Sequence, residues 1–261
     1  MKLKAALSVF SMLVLAWLIL PTLVLVPISF SETASFNFPA KGFSLQWYEK
    51  FFTDISWVRS LLLSLQVAVL VTIISTVAGT LAAFGIWKMK ARGRALVEGY
   101  LLTPMMIPGI ILAVGLYSVF LKLGLLGTVP GFVLAHTVLA LPFVVVNVLT
   151  SLEGMDSRLE LAAASLGASR PVTFVRIVLP LIVPGVSAGA VFAFVTSFDE
   201  VIVSLFIQSP GLQTLPVKVF RSVTQDTDPT VAAVSVIVTV FSIVAVSVAQ
   251  LRFLNKKRQK S

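Results

Sequence analysis

Apolar residues along this chain gather into long runs almost free of charge, separated by polar stretches rich in Lys and Arg. Six runs stand out, at about 5–29, 60–87, 99–121, 130–152, 181–207 and 231–251. Each supplies the roughly 20 residues needed to cross about 30 Å of hydrocarbon at about 1.5 Å per residue. Lipid offers no hydrogen-bond partners to a bare backbone, so each run is predicted to be a helix and the chain to be an all-α, polytopic membrane protein with six transmembrane helices. The first run follows Met1-Lys2-Leu3-Lys4 and carries no charge from Ala5 to Ser31. A signal peptide's apolar region is about 7–15 residues, and no small-x-small cleavage site closes this run, so it is read as an uncleaved first span.

Basic flanks orient such a chain, because Lys and Arg accumulate on the cytoplasmic side. With the N-terminus inside, four groups become cytoplasmic: Lys2 and Lys4; Lys88, Lys90, Arg92 and Arg94; Arg158, Arg170 and Arg176; and Arg252, Lys256, Lys257, Arg258 and Lys260. They hold fourteen of the 20 basic residues, which places both termini in the cytoplasm. The remainder, Lys41, Lys50, Arg59, Lys122, Lys218 and Arg221, fall outside.

Composition narrows the function classes. The chain is 57% hydrophobic and 12% charged over 261 residues, about half the charge of an ordinary soluble domain. It has no Cys and one His, His136. That excludes disulfides, thiolate-ligated metals and cysteine nucleophiles, and one imidazole does not make a metal site, so no metal site and no catalytic residues are assigned. The net charge of +9 sits beside apolar runs rather than on a soluble face, which argues against nucleic-acid binding. No G-x-x-x-x-G-K-[ST] phosphate loop occurs, so ATP binding of the P-loop kind is not expected in this chain.

Three stretches carry candidate chemistry. The outer loop Glu32–Arg59 holds Phe36, Phe38, Phe43, Trp47, Tyr48, Phe51, Phe52 and Trp57. It is either a docking surface for an external partner or an amphipathic segment lying in the membrane interface. In the fifth run Asp199 lies about 15 residues beyond Pro184, about 22 Å up a continuous helix, in the outer half of the bilayer. Ionised groups at such depth usually face the protein interior or a water-filled cavity. On that helix Ser197, Glu200 and Ser204 share a face, with Thr196 and Asp199 beside it. Two carboxylates with hydroxyl neighbours suit a cationic amine, although an ion pair with Arg59 or Lys122 would occupy them equally well. Gly185, Gly189 and Ala193 recur every four residues and favour close helix packing within this subunit. Pro104 and Pro108-Gly109 should kink the third run, and His136 and Asn147 in the fourth either line a cavity or bridge helices, with bridging the expectation.

The third stretch, the inner loop 153–180, is longer than a connection requires. Its Arg158-Leu159-Glu160-Leu161-Ala162-Ala163-Ala164-Ser165 suits a short helix, and Gly167 suits its C-terminal cap. Leu159, Ala162, Ala163 and Leu166 form a stripe that another protein, or the membrane surface, would cover.

That loop resembles the coupling loop of ABC importer permeases, with its pattern E-A-A-x-x-x-G, then an apolar residue ten places after the Gly and L-P. Ala162, Ala163, Gly167, Ile177, Leu179 and Pro180 occupy the matching places, whereas the acidic position falls on Leu161, with Glu160 one residue earlier. Leu141-Pro142-Phe143-Val144-Val145-Val146, Ser197-Phe198-Asp199-Glu200-Val201 and Val203-Ser204 extend the likeness, which is similar to the C-type permease subunit of spermidine/putrescine importers. The resemblance implies a single transmembrane domain over 1–261 with the type I ABC importer fold, in a bacterial inner membrane. It implies transport without catalysis by this chain, ATP and Mg on a separate ATPase dimer, a second homologous permease in a heterodimer, and an extracytoplasmic solute-binding protein. Leu159, Glu160, Leu161, Ala162, Ala163, Leu166 and Gly167 then become the ATPase-coupling residues. The substrate pathway falls on Thr196, Ser197, Asp199, Glu200 and Ser204. Other organic amines, opines, phosphonates or iron remain alternative solutes, and an ion-coupled secondary transporter the alternative machine.

Overall fold

The computed structural model describes residues 2–36, 38–226 and 229–243. All of its regular elements are helical, joined by turns and one isolated β-bridge. The chain divides into two compact units, Met1–Arg59 with Val219–Ser261, and Ser60–Lys218.

In the first unit α1 (Lys2–Ser29) is apolar all round, and the side chains of its stretch from Leu7 to Leu20 are exposed, as a helix bathed in lipid requires. The following loop folds onto a short helix, α2 (Gln46–Thr53). Trp47 Nε1 donates to the Ser31 carbonyl at 2.7 Å, the Tyr48 hydroxyl meets Ser29 Oγ at 2.7 Å, and Phe30 stacks on Phe43 with ring centres 5.1 Å apart. Trp47, Phe51 and Trp57 are buried, while Phe38, Phe43 and Phe52 stay exposed. The aromatic loop is therefore an ordered layer with an amphipathic helix. At the other end of the unit, α12 (Thr230–Ile243) covers the start of the expected sixth span. The rest of that span, to 251, and the basic residues Arg252, Lys256, Lys257, Arg258 and Lys260 lie outside the described residues.

The second unit carries the core. Its helices are α3 (Ile55–Trp87, which begins in the first unit), α4 (Ala91–Met106), α5 (Gly109–Leu123), α6 (Val129–Glu153), α7 (Arg158–Ser165), α8 (Arg170–Thr173), α9 (Leu179–Phe198), α10 (Ile202–Ile207) and α11 (Leu215–Arg221, which ends in the first unit). Among the described residues four helices are long and apolar enough to cross a membrane, and a bent pair, either a broken span or a re-entrant loop, passes the same test together. That pair corrects the third run, which is not one kinked helix. α4 and α5 meet at 99°, with Ile107 and Pro108 both extended. Proline drives the residue before it out of the helical region, so the chain breaks at Pro108 and carries Pro104 within α4.

The second part of the segment 153–180 is helical and continuous with the fifth run. A helix runs unbroken from Arg170 to Phe198, so Pro180 lies inside it. The turn Phe174–Val178 just before is π-helical, with the Leu179 N–H bonded to the Phe174 carbonyl, and this wider turn accommodates the hydrogen bond that Pro180 is unable to make.

The bundle closes where α6 packs along α9. Gly189 lies against the Val144 backbone and Gly185 against Asn147 and Ser151, so the small-residue stripe is an internal seam. Asn147 does not bridge helices: its amide donates back to the Phe143 carbonyl at 2.8 Å. A Cβ built on Gly189 would sit 3.0 Å from Val144 Cα, whereas one on Gly115 meets nothing within 4 Å. Gly189→Leu should cost about 1–3 kcal/mol by forcing the backbones apart, and Gly115→Leu less than about 0.5 kcal/mol. Thermal unfolding in detergent reads both, and equal losses would refute the seam.

Candidate functional site

Two places in the second unit gather the sequence-predicted residues. At one, α9 stops. The expected continuous helix through 207 ends at Phe198, and Asp199 to Val201 form a break before α10. Ser197, Glu200 and Ser204 therefore do not share one helical face. The Glu200 carboxylate turns to the first turn of α10 and accepts from the Val203 N–H at 2.7 Å. That satisfies an otherwise orphaned amide and complements the helix dipole. Ser197 and Ser204 point inward to His136 on α6, which is 0% exposed. Nδ1 lies 3.0 Å from Ser197 Oγ and Nε2 lies 2.9 Å from Ser204 Oγ. A neutral imidazole has one N–H and one bare nitrogen, so one hydroxyl accepts and the other donates. The ring edge of Phe132 closes the pocket, with centroids 6.0 Å apart. His136 thus staples both sides of the break to α6, and the bridging expected of it is present. Thr196 is half-buried, and Asp199 is exposed, its backbone N–H closing α9 on the Val195 carbonyl.

The second place is α7. Its end is a complete Schellman cap: the Gly167 N–H bonds the Ala164 carbonyl and the Ala168 N–H bonds that of Ala163, each at 3.0 Å, with Gly167 at φ +80°. The stripe divides. Ala163 is 5% exposed and faces this chain, whereas Leu159, Leu161 and Leu166 are exposed, Leu166 by 89%. Ala162 is exposed beside them. Glu160 is paired with Lys88 at the end of α3, and nearby Arg94 on α4 is paired with Glu153 at the end of α6. Lys88 also lies 4.3 Å from the centre of the Trp87 ring. A cavity of about 510 Å³ opens between Phe84 and Lys88, Glu160 and Leu161, and Arg170 and Thr173. Sequence reasoning missed Lys88 and Arg94 as partners of these acids. The contacts join residues 72 and 59 positions apart, and no periodicity connects them.

Helices long and apolar enough to cross a membrane define a membrane protein, and the amphipathic α7 stands apart from them at one end of the second unit's bundle. Residues 75–259 match the family described as binding-protein-dependent transport system inner membrane component, and the chain belongs to that family, as an ABC importer inner-membrane permease. It is 34% identical over 244 residues to the spermidine/putrescine transport system permease protein PotC of Haemophilus influenzae, covering 94% of this chain and 95% of that one. To PotC of Escherichia coli K12 it is 35% identical over 236 residues, 90% and 89% of the two chains. The fold matches that of a bacterial alginate ABC transporter crystallised with an alginate pentasaccharide-bound periplasmic protein, at a TM-score of 0.72 and 18% identity, over 96% and 92% of the chains.

Removing the imidazole alone strands two buried hydroxyls. His136→Ala should therefore destabilise the protein by about 2–4 kcal/mol, while the all-apolar triple variant His136→Leu, Ser197→Ala, Ser204→Ala should recover most of that loss. Melting temperatures in detergent decide it, and a triple variant weaker than the single one would refute the staple.

Proposed function

We propose that this chain is one of two homologous permease subunits of an ATP-driven importer that carries polyamines such as spermidine and putrescine across the bacterial inner membrane by alternating access. The near full-length likeness to permeases of spermidine/putrescine transport supports the solute. The exposed face of α7 is the observation that carries the coupling. Leu159, Leu161, Ala162 and Leu166 present apolar surface on a preformed helix, and such surface calls for a partner. That partner is an ATPase dimer, which holds ATP and Mg in its own sites and pushes or releases α7 as it closes and opens. Gly167 keeps the helix end in shape, and Ala163 seats it on the permease.

Both termini lie in the cytoplasm in this reading. Support comes from the ion pairs Lys88–Glu160 and Arg94–Glu153, which bring two of the four basic loops to one end of the bundle. A solute-binding protein delivers the polyamine on the opposite side. There the exposed Asp199 carboxylate meets an ammonium group, with Thr196 beside it. Glu200 shapes the break through its bond to Val203, and Ser197 and Ser204 hold that shape through His136.

Proteoliposomes carrying the purified complex should accumulate radiolabelled spermidine and putrescine only with ATP inside the compartment that faces α7. Losing one charge-assisted contact costs about 1.5–3 kcal/mol, so Asp199→Asn should lower uptake about tenfold or more while the complex still assembles. Undiminished uptake would remove Asp199 from the path, and uptake driven by an ion gradient without ATP would replace the importer with a secondary transporter.

A further inference from the structure

On a helix successive residues point about 100° apart, so the one-place displacement of the acid on α7 changes what it is able to touch. Position 161, where the resembling motif carries its Glu, is a leucine 67% exposed on the face proposed to meet the ATPase. Glu160 is turned back toward this chain, its side chain 17% exposed, and holds the Lys88 ammonium. A cavity of about 510 Å³ lies between the two helices joined by this pair. The pair is therefore a strut across a gap. Its α3 foot is braced: Lys88 sits over the Trp87 ring at 4.3 Å and the Phe84 ring at 5.4 Å, and Phe84 packs on Phe174 of the π turn at 4.7 Å.

We propose that Glu160 and Lys88 are positioning residues that make α7 and the inner end of α3 one mechanical body. Movement imposed on α7 then reaches the second span directly, in addition to passing through the turns that lead into α6 and α8. The acid, one place earlier than in the resembling pattern, serves here as an internal latch, and the partner meets Leu161 instead. The inference rests on the reading of α7 as the coupling element.

The test uses the whole reconstituted transporter and reads ATP hydrolysed per solute moved, which a purely structural defect in protein level leaves unchanged. Lys88→Glu and Glu160→Lys should each raise that ratio about two- to fivefold, the range expected for a partly exposed ion pair, and the double reversal should restore it. Moving the acid outward, by Glu160→Leu with Leu161→Glu, should behave like the single variants. This chain has no cysteine of its own, so Lys88→Cys with Glu160→Cys provides a thiol pair in it for a bis-methanethiosulfonate cross-linker. Bridging the pair should return the ratio to the wild-type value, and reduction should raise it again. Single reversals with a wild-type ratio, or a cross-link that arrests uptake until reduced, would overturn the latch. Absence of ATP-driven uptake by the unmodified complex would overturn the importer reading, and the latch's mechanical role with it.

Discussion

The unit built from residues 60–218 depends on how closely α6 and α9 approach. Hydrocarbon gives two apolar helices no hydrophobic reason to associate, and packing at short range supplies the attraction instead. Gly185, Gly189 and the buried Ala193 remove the side chains that would keep the axes apart. With the backbones this near, the imidazole on α6 reaches Ser197 on α9 and, on its other edge, Ser204 on α10. The same approach therefore fixes where α9 ends, how α10 starts and which way Asp199 and Glu200 turn. A wider seam would leave His136, Ser197 and Ser204 buried and unpaired, a penalty of about 1–3 kcal/mol apiece.

The acids follow a division of labour that residue type alone does not reveal. Glu153 and Glu160 join loops at one end of the bundle, Glu200 caps a short helix, and Asp199 is left facing outward. Individually the exposed pairs contribute little to stability, commonly well under about 1 kcal/mol. Their importance is geometric. They tie the end of α3 to α7 and the start of α4 to the end of α6.

Much of the architecture is legible in the chain because lipid permits so few backbone solutions. An uncharged run of sufficient length has to be helical, and Gly167 is a dependable terminus because its left-handed conformation suits a residue without a Cβ. What hydropathy does not mark is a stop inside an apolar stretch. The break after Phe198 contains neither Gly nor Pro, and tertiary groups set it, namely the Glu200 cap and the His136 staple. The opposite case is Leu179-Pro180, which reads as a boundary yet lies within a helix beginning at Arg170, because a π turn absorbs the proline. Helical spacing likewise identifies the stripe on α7 without stating its rotation. Only packing shows that Ala163 faces in and Leu166 faces out. Aromatic content in the loop after α1 suggests either a docking surface or an interfacial segment, and the hydrogen bonds of Trp47 and Tyr48 show how much of it folds on itself.

The Schellman cap on α7 has a thermodynamic corollary. Its terminal carbonyls are bonded internally through Gly167 and Ala168, so the helix keeps its shape whether anything covers it or not. A subunit that binds there meets a preorganised surface, and none of the association free energy is consumed in ordering the segment. Assembly would then leave that energy available for the opening and closing strokes themselves.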